Sequence, residues 1–128
     1  MTFDLASLDT AARAEEGAPL AITHPTTGEA IGITITVVGT DSDTYQKARR
    51  KLADKRIQQR KAKLSIEDIE NENIEMLARC TKGWDGVVVD GEAKPCTFSN
   101  AVELYKRFPW VREQVDAFMG ERANFLRD

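Results

Sequence analysis

The residue types that most often carry catalysis or bind metals are few in this sequence and stand far apart. His24 is the only histidine, so a metal site or catalytic pair that requires two imidazoles has no second member. Cys80 and Cys96 are the only cysteines and do not form a C-x-x-C spacing, which predicts no disulfide framework. We interpret both as small apolar side chains. A pairing of cysteine nucleophile and histidine base stays open, because such partners meet only in space.

Two pairs of carboxylates have spacings compatible with cation binding or acid-base chemistry, Asp85 with Asp90 and Glu67 with Glu70. Each aspartate precedes a glycine and is explained as a turn former, and the two glutamates are explained as the solvated side of a helix. The chain contains no phosphate-binding loop of the G-x-x-x-x-G-K or G-x-G-x-x-G form. We therefore predict no catalytic residue, no metal site and no cofactor, and a protein that is not an enzyme.

The basic residues are concentrated in one short segment. Residues 47–63 hold nine of the 18 lysines and arginines and only Asp54 as an acid, although the whole chain has a net charge of -3. The segment is flanked by acidic stretches, and we interpret it as a solvated face or as a face that meets an acidic surface on a neighbouring subunit. The predicted protein contacts within it are Arg49, Arg50, Arg56 and Arg60.

A basic helix can also bind phosphates by releasing counterions. The alternative function is therefore that of a basic-helix nucleic-acid-binding accessory protein. Tyr45 is the only aromatic residue beside the segment, and no motif of the helix-turn-helix, zinc-finger or ribonucleoprotein type is present. We expect nucleic acid not to be the partner.

The first half of the chain predicts a β-hairpin preceded by a short helix or docked arm at residues 3–13. Leu20 and Ile22 alternate with small residues, and residues 24–28 read as a turn with a proline and a glycine. Four apolar residues then recur with a period of two, Ile31, Ile33, Ile35 and Val37. This alternation is typical of a strand with one buried side.

Two helices follow the hairpin, and we expect them to pack antiparallel. The first begins near Ser42 and runs to about Lys63, with a thin apolar stripe. Ser65 and Asp68 form a variant of the capping box at the start of the second. One side of this second helix carries Ile66, Ile69, Asn73, Leu77 and Cys80, and the other carries Glu67, Glu70, Glu72 and Glu75.

The last third predicts a short strand or extended turn at residues 84–92 and two further helices. Ser99 is the expected cap of the first helix, and Pro109 fits the first turn of the second, which we expect to run to about Leu126. Together the patterns predict an α+β fold, a predominantly helical single domain over residues 1–128 with an N-terminal β-hairpin. The chain has neither a signal-peptide pattern nor an apolar run of about 18 residues, so we expect an intracellular protein outside the membrane.

Three segments together resemble the tail assembly chaperones of long-tailed, siphovirus-type bacteriophages and related prophages. They are the turn and strand of residues 24–42, the Trp-Asp-Gly segment of residues 84–92, and residues 100–118 with their continuation at 122–126. The resemblance covers about residues 1–126. Its most specific part is a Trp-Asp-Gly turn followed by a Tyr-x-x-Phe-Pro-Trp helix junction. Residues 94–97 depart from it, because they are less apolar than expected.

The resemblance implies a morphogenetic protein without catalysis or cofactor. Such chaperones bind the long, helical tape measure protein, keep it soluble and recruit tail tube subunits around it. They act in the host cytoplasm, are absent from the mature virion and assemble into homo-oligomeric rings or spirals. Many are also made as a longer, frameshifted form, which a protein sequence does not show.

The aromatic residues near the C-terminus fit this role, because a helix is bound in an apolar groove through anchors spaced three and four residues apart. Phe108, Trp110, Phe118 and Phe125 are the candidate anchors. Most of these rings are explained by the core, and Trp110 and Phe125, near the helix ends, are the predicted contacts. For self-association we expect the basic segment of one copy to meet an acidic patch of the next, which yields a ring or a spiral.

Overall fold

A three-stranded antiparallel sheet with helices on one face forms the centre of the molecule. A computed structural model describes residues 2–59 and 64–126. The sheet has the order β1 (Ala18–Thr23), β2 (Ala30–Val37), β3 (Thr81–Asp85). Its covering helices are α3 (Ile66–Arg79), α4 (Phe98–Arg107) and α5 (Pro109–Met119).

The remaining elements lie around this centre. Helix α1 (Thr10–Glu16) precedes the sheet, and α2 (Asp43–Gln59) connects it to α3. A separate two-stranded sheet consists of β4 (Val88–Val89) and β5 (Glu92–Ala93). Short 3-10 turns occur at Leu5–Leu8 and Arg122–Asn124. The predicted α+β class, mainly helical with an N-terminal hairpin, is confirmed.

The predicted hairpin is formed by β1 and β2, which pair with Leu20 opposite Ile35. The alternation along β2 buries Ile35 and Val37 completely, whereas Ile31 near the start of the strand is 38% exposed. In the connecting turn, Nδ1 of His24 accepts hydrogen bonds from the backbone amides of Thr26 and Thr27. The imidazole therefore has a structural role in the turn.

The Trp-Asp-Gly segment contains more structure than its sequence predicted. Strand β3 pairs with β2 and places Trp84 opposite Ile35, so the first part of the segment completes the main sheet. The second part is a hairpin whose turn residues, Asp90 and Gly91, have φ angles of 53° and 81°. Positive φ at both positions is the geometry that Asp-Gly favours in two-residue hairpins.

A buried hydrogen-bond chain joins α3, β3 and α4. The hydroxyl of Thr81 donates to the carbonyl oxygen of Leu77 at 2.8 Å and lies 2.6 Å from the hydroxyl of Tyr105. Because the Thr81 proton is used, the Tyr105 hydroxyl is the donor of the second bond. Burial is the main cause that raises the pKa of Tyr105 to about 12, so the phenol stays neutral. These hydrogen bonds hold the C-terminal end of α3 on the sheet.

Two predicted helix ends are wrong. The cap of α4 is Thr97 instead of Ser99, because the Thr97 hydroxyl accepts from the amide of Asn100 at 3.1 Å. Helix α5 begins at Pro109 as predicted, but it ends at Met119 and is followed by Gly120 instead of continuing to Leu126. Ending there lets the chain turn back over the core.

Helix α1 is connected to the start of α2 through one carboxylate. Glu15 accepts hydrogen bonds from the backbone amide of Thr44 at 2.8 Å and from its hydroxyl at 2.9 Å. These bonds hold the pKa of Glu15 below its ordinary value. The segment before α1 has no buried side chain in Leu5–Leu8. Of the two predicted alternatives, a short helix or a docked arm, the structure has the short helix, preceded by an exposed turn.

Gly86 is expected to be a sensitive position of the sheet. Its φ is +78°, and an added Cβ would overlap the carbonyl oxygen of Gly32. Gly28 has a similar φ of +75° but open space around it, and it is the matched control. Gly28→Ala should lower the free energy of unfolding by about 1 kcal/mol through backbone strain alone. Gly86→Ala should lower it by about 3 kcal/mol or more in urea unfolding, and equal losses would contradict the close approach.

Glu15→Gln should destabilise the protein in a pH-dependent way. Because the folded pKa is lowered, the carboxylate contributes stability above its ordinary pKa of 4.5, and this contribution is lost as pH falls through the folded pKa. We expect a loss of about 1 kcal/mol at neutral pH, which shrinks below pH 4.5. Urea unfolding across this range is the measurement, with Glu16→Gln as control. A loss independent of pH would contradict the assignment.

Candidate protein-binding surfaces

Helices α2 and α3 pack antiparallel, and we call the pair the α2–α3 hairpin. Gln59 near the end of α2 and Asp68 near the start of α3 line the same crevice, as do Ala48 and Arg79 at the other ends. The guanidinium of Arg56 bridges to Glu72 across the crevice. The predicted antiparallel arrangement of the basic and acidic helices is therefore present.

The apolar stripe predicted for α3 changes from buried to exposed along its length. Leu77 and Cys80 are 2% and 1% exposed, whereas Ile66 and Ile69 are 79% and 52% exposed. The buried residues of α3 all lie in its C-terminal half, because only that half packs on the sheet and α4. Ile66 and Ile69 lie on the same side of α3 as Leu77 but form part of an exposed surface.

The cations of α2 are distributed around the helix instead of along one side. At 100° per residue, Arg49 shares a side with Arg56, Arg50 with Ile57, and Lys51 with Lys55. The side chains of Arg49 and Arg50 are exposed and form no ion pair with another described residue. Ala48 is the only buried residue of α2, so most of its circumference is open to a partner. Arg60, the fourth predicted contact, lies outside the described residues.

A second surface is the cleft between the β4–β5 hairpin and α4, which has a volume of about 60 Å³. Its apolar lining comes from Trp84, Val87, Val89, Leu104 and Phe108. We call this the aromatic cleft.

Two contacts fix the aromatic cleft in shape. The indole Nε1 of Trp84 donates to the carbonyl oxygen of Lys94 at 2.8 Å, and Arg107 forms a two-bond ion pair with Asp90 at 2.7 and 3.0 Å. The first holds the indole against the residue that follows β5, and the second ties the hairpin turn to α4. The two Asp-Gly turns around three valines predicted only a short strand or extended turn, so neither the hairpin nor the helix that it packs against was predicted.

The two predicted aromatic contacts have different environments. Trp110 is half-buried, and its ring meets Phe108 edge-on with centroids 6.3 Å apart, so it extends the aromatic surface behind the cleft. Phe125 is only 7% exposed and packs on Phe118 with centroids 5.6 Å apart. The early end of α5 places Phe125 in the core, where it has little surface for another protein, and we remove it from the candidate contacts.

Of the residues weighed for catalysis, both cysteines are at least partly buried and Asp90 is in an ion pair. Burial raises the pKa of the Cys80 thiol to about 12 and also raises that of Cys96. Asp90 belongs to the ion pair with Arg107, which lowers its pKa. Within residues 2–59 and 64–126, no group of three or more His, Cys, Asp and Glu side chains could hold a metal ion. No helix in the same ranges is long and apolar enough to cross a membrane.

Alanine substitutions along the α3 stripe should separate its two halves. Leu77→Ala removes a buried side chain and should lower the free energy of unfolding by about 2 to 5 kcal/mol. Ile69→Ala, on the same stripe but exposed, should change it by less than about 0.5 kcal/mol. Chemical denaturation of the monomeric protein is the measurement. A large loss for Ile69→Ala would show that the start of α3 packs within its own chain.

Comparison with known proteins gives this chain no relative. No protein-family model, no curated protein and no solved structure matches it. The tail assembly chaperone assignment therefore depends on the sequence resemblance alone.

Proposed function

We propose that this protein is a phage tail assembly chaperone. In this role it binds the tape measure protein in the host cytoplasm, keeps it soluble and helps recruit tail tube subunits, without catalysis and without entering the mature virion. The sequence resemblance names the client. The structural observation that supports client binding best is the aromatic cleft.

The cleft has the properties of a site for an apolar helix. Tryptophan and arginine are enriched among the residues that dominate binding energy at protein interfaces, and Trp84 and Arg107 both line this cleft. A client helix presents apolar side chains three and four residues apart, and the cleft is suited to receive one of these anchors. Trp110, packed edge-on against Phe108, offers a second apolar contact next to it.

Self-association is the second part of the proposal. On α2 the hairpin exposes Arg49 and Arg50, which have no ion-pair partner among the described residues, on α3 it exposes carboxylates, and both helices expose isoleucines. Burying this surface between copies would remove it from water, and a homo-oligomer would present several aromatic clefts to one long client. Multiple linked sites raise the overall affinity without any new type of contact.

Nucleic-acid binding remains the alternative function, because Arg49 and Arg50 are exposed and unpaired among the described residues. Under this alternative, the affinity of the protein for DNA must fall steeply as the salt concentration rises. Charge reversal at both positions would abolish such binding. Client binding through the aromatic cleft would survive it.

Co-expression with the tape measure protein of the same phage or prophage tests the proposal. Val89→Glu replaces an apolar residue of the aromatic cleft by a charged one and should reduce recovery of soluble client at least tenfold, because an apolar client side chain could then bind there only by desolvating the carboxylate. Val88→Glu is the matched control, because neighbouring strand residues point to opposite sides and Val88 is 58% exposed outside the cleft. It should leave client solubility unchanged.

Two results would contradict the proposal. A client that stays equally insoluble with and without the wild-type chaperone would remove the function itself. Equal recovery of soluble client with Val89→Glu and with Val88→Glu, both shown to be folded by circular dichroism, would contradict the aromatic cleft as the client-binding site. Salt-sensitive DNA binding by the wild type, lost in the Arg49→Glu, Arg50→Glu variant, would favour the alternative.

A further inference from the structure

The aromatic cleft is narrower than a large apolar side chain. Its volume is about 60 Å³, whereas an apolar cavity that holds one benzene ring measures about 150 Å³. In the observed arrangement the cleft therefore admits only the tip of a leucine or aromatic side chain. A client anchor binds fully only if one wall of the cleft moves.

The wall that α4 provides is fixed in place. Leu104 and Tyr105 are 7% and 0% exposed, and the hydroxyl of Tyr105 lies 2.6 Å from that of Thr81. Trp84 belongs to β3 and lies opposite Ile35 in the main sheet. Moving any of these groups would disrupt the packing of the core.

The β4–β5 hairpin, which forms the other wall, is attached much more weakly. Its strands pair Val88 with Ala93 and Val89 with Glu92, and neither strand joins the main sheet in the part of the chain that the structure describes. A two-stranded hairpin is marginally stable by itself. Val88, Glu92 and Ala93 are exposed, so Val89 is the residue of these two strands that lines the cleft.

The turn of this hairpin is connected to α4 by the ion pair between Asp90 and Arg107. Its two hydrogen bonds are 2.7 and 3.0 Å long, but the side chains of Asp90 and Arg107 are 71% and 55% exposed. An exposed ion pair contributes little free energy, because water and salt compete with it. This contact therefore holds the hairpin against α4 and is broken at small cost.

We propose that the β4–β5 hairpin is a movable wall of the aromatic cleft and that the Asp90–Arg107 ion pair holds it closed. When a large apolar side chain enters, the ion pair breaks and the hairpin moves away from α4. The inference rests on the proposed function for the identity of this side chain, an aliphatic or aromatic anchor of the client helix. The opening itself is a property of the chain without client.

The ion pair then determines the affinity of the cleft for its ligand. A ligand that binds only the open state has its apparent affinity reduced by the fraction of molecules that are open. Loss of an exposed ion pair should raise this fraction, and the affinity with it, about two- to fivefold.

Benzene is a probe of the open state, because the closed cleft is too small for it. Asp90→Asn removes the charge of the ion pair and keeps a residue type suited to the φ of 53° at this position of the turn. We expect this variant to bind benzene about two- to fivefold more tightly than wild type at low salt. The measurement is a titration of the purified chain, followed by the methyl NMR signals of Val89 and Leu104.

Asp85→Asn is the matched control. Asp85 also precedes a glycine and is exposed, and it forms no ion pair with any other residue that the structure describes. This variant should bind benzene like wild type. At high salt the difference between Asp90→Asn and wild type should disappear, because screening weakens the attraction between exposed charges.

Four results would each overturn the inference. They are absence of benzene binding at Val89 and Leu104, equal affinities of Asp90→Asn and wild type at low salt, an equal gain in Asp85→Asn, and a gain that persists at high salt. None of these titrations contains the client. A client that stays insoluble with the wild-type chaperone would contradict the proposed function and leave the benzene result unchanged, so the two failures are distinguishable.

Discussion

The attachment of one end of α3 to the sheet is the constraint on which the exposed surfaces depend. Leu77 and Cys80 are buried at this end, and Thr81, the first residue of β3, hydrogen-bonds to both Leu77 and Tyr105. Helix α3 has 14 residues, which corresponds to roughly 20 Å at 1.5 Å per residue. Its C-terminal end is fixed on the core, and the exposure of Ile66 and Ile69 shows that its beginning lies outside the core.

The position of α3 in turn determines how much of α2 is buried. Helix α2 packs along α3 and has Ala48 as its only buried residue, so little hydrophobic burial stabilises its 17 residues. Most of the stability of a helix in a protein comes from the packing of its apolar side, and this contribution is small for α2. The Arg56–Glu72 ion pair and the good helix formers of α2 stabilise the helix locally. Such a helix gains stability from a partner, which agrees with a hairpin that functions as a binding arm.

Local sequence patterns predicted much of the fold, and long-range packing explains what they missed. The period-two apolar residues of β2, the capping box of Ser65 and Asp68, and Pro109 at the start of α5 are local signals, and all three elements form. Ile66 and Leu77 belong to the same apolar stripe of α3, but the periodicity of this stripe does not show where along the helix the core ends.

Other features were missed for related reasons. The pairing of β3 with β2 joins residues far apart in the sequence, and the valines of residues 87–89 do not reveal that α4 lies against them. Thr97 and Ser99 carry equivalent hydroxyl groups, so the cap was ambiguous by two residues. The aromatic cleft, the candidate client site, depends on this tertiary packing and was therefore not predictable from the motif that contributes to it.

The central claim is that the outer half of the α2–α3 hairpin is a binding arm that the chain itself leaves uncovered. Hydrogen exchange measured on dilute monomer and on the assembled protein tests it most directly. The account predicts fast exchange at residues 53–59 and 66–71 in the monomer, slow exchange at residues 74–80 in both states, and strong protection of the two outer segments on assembly. Outer segments already as protected as residues 74–80 in the monomer, or unchanged on assembly, would contradict it.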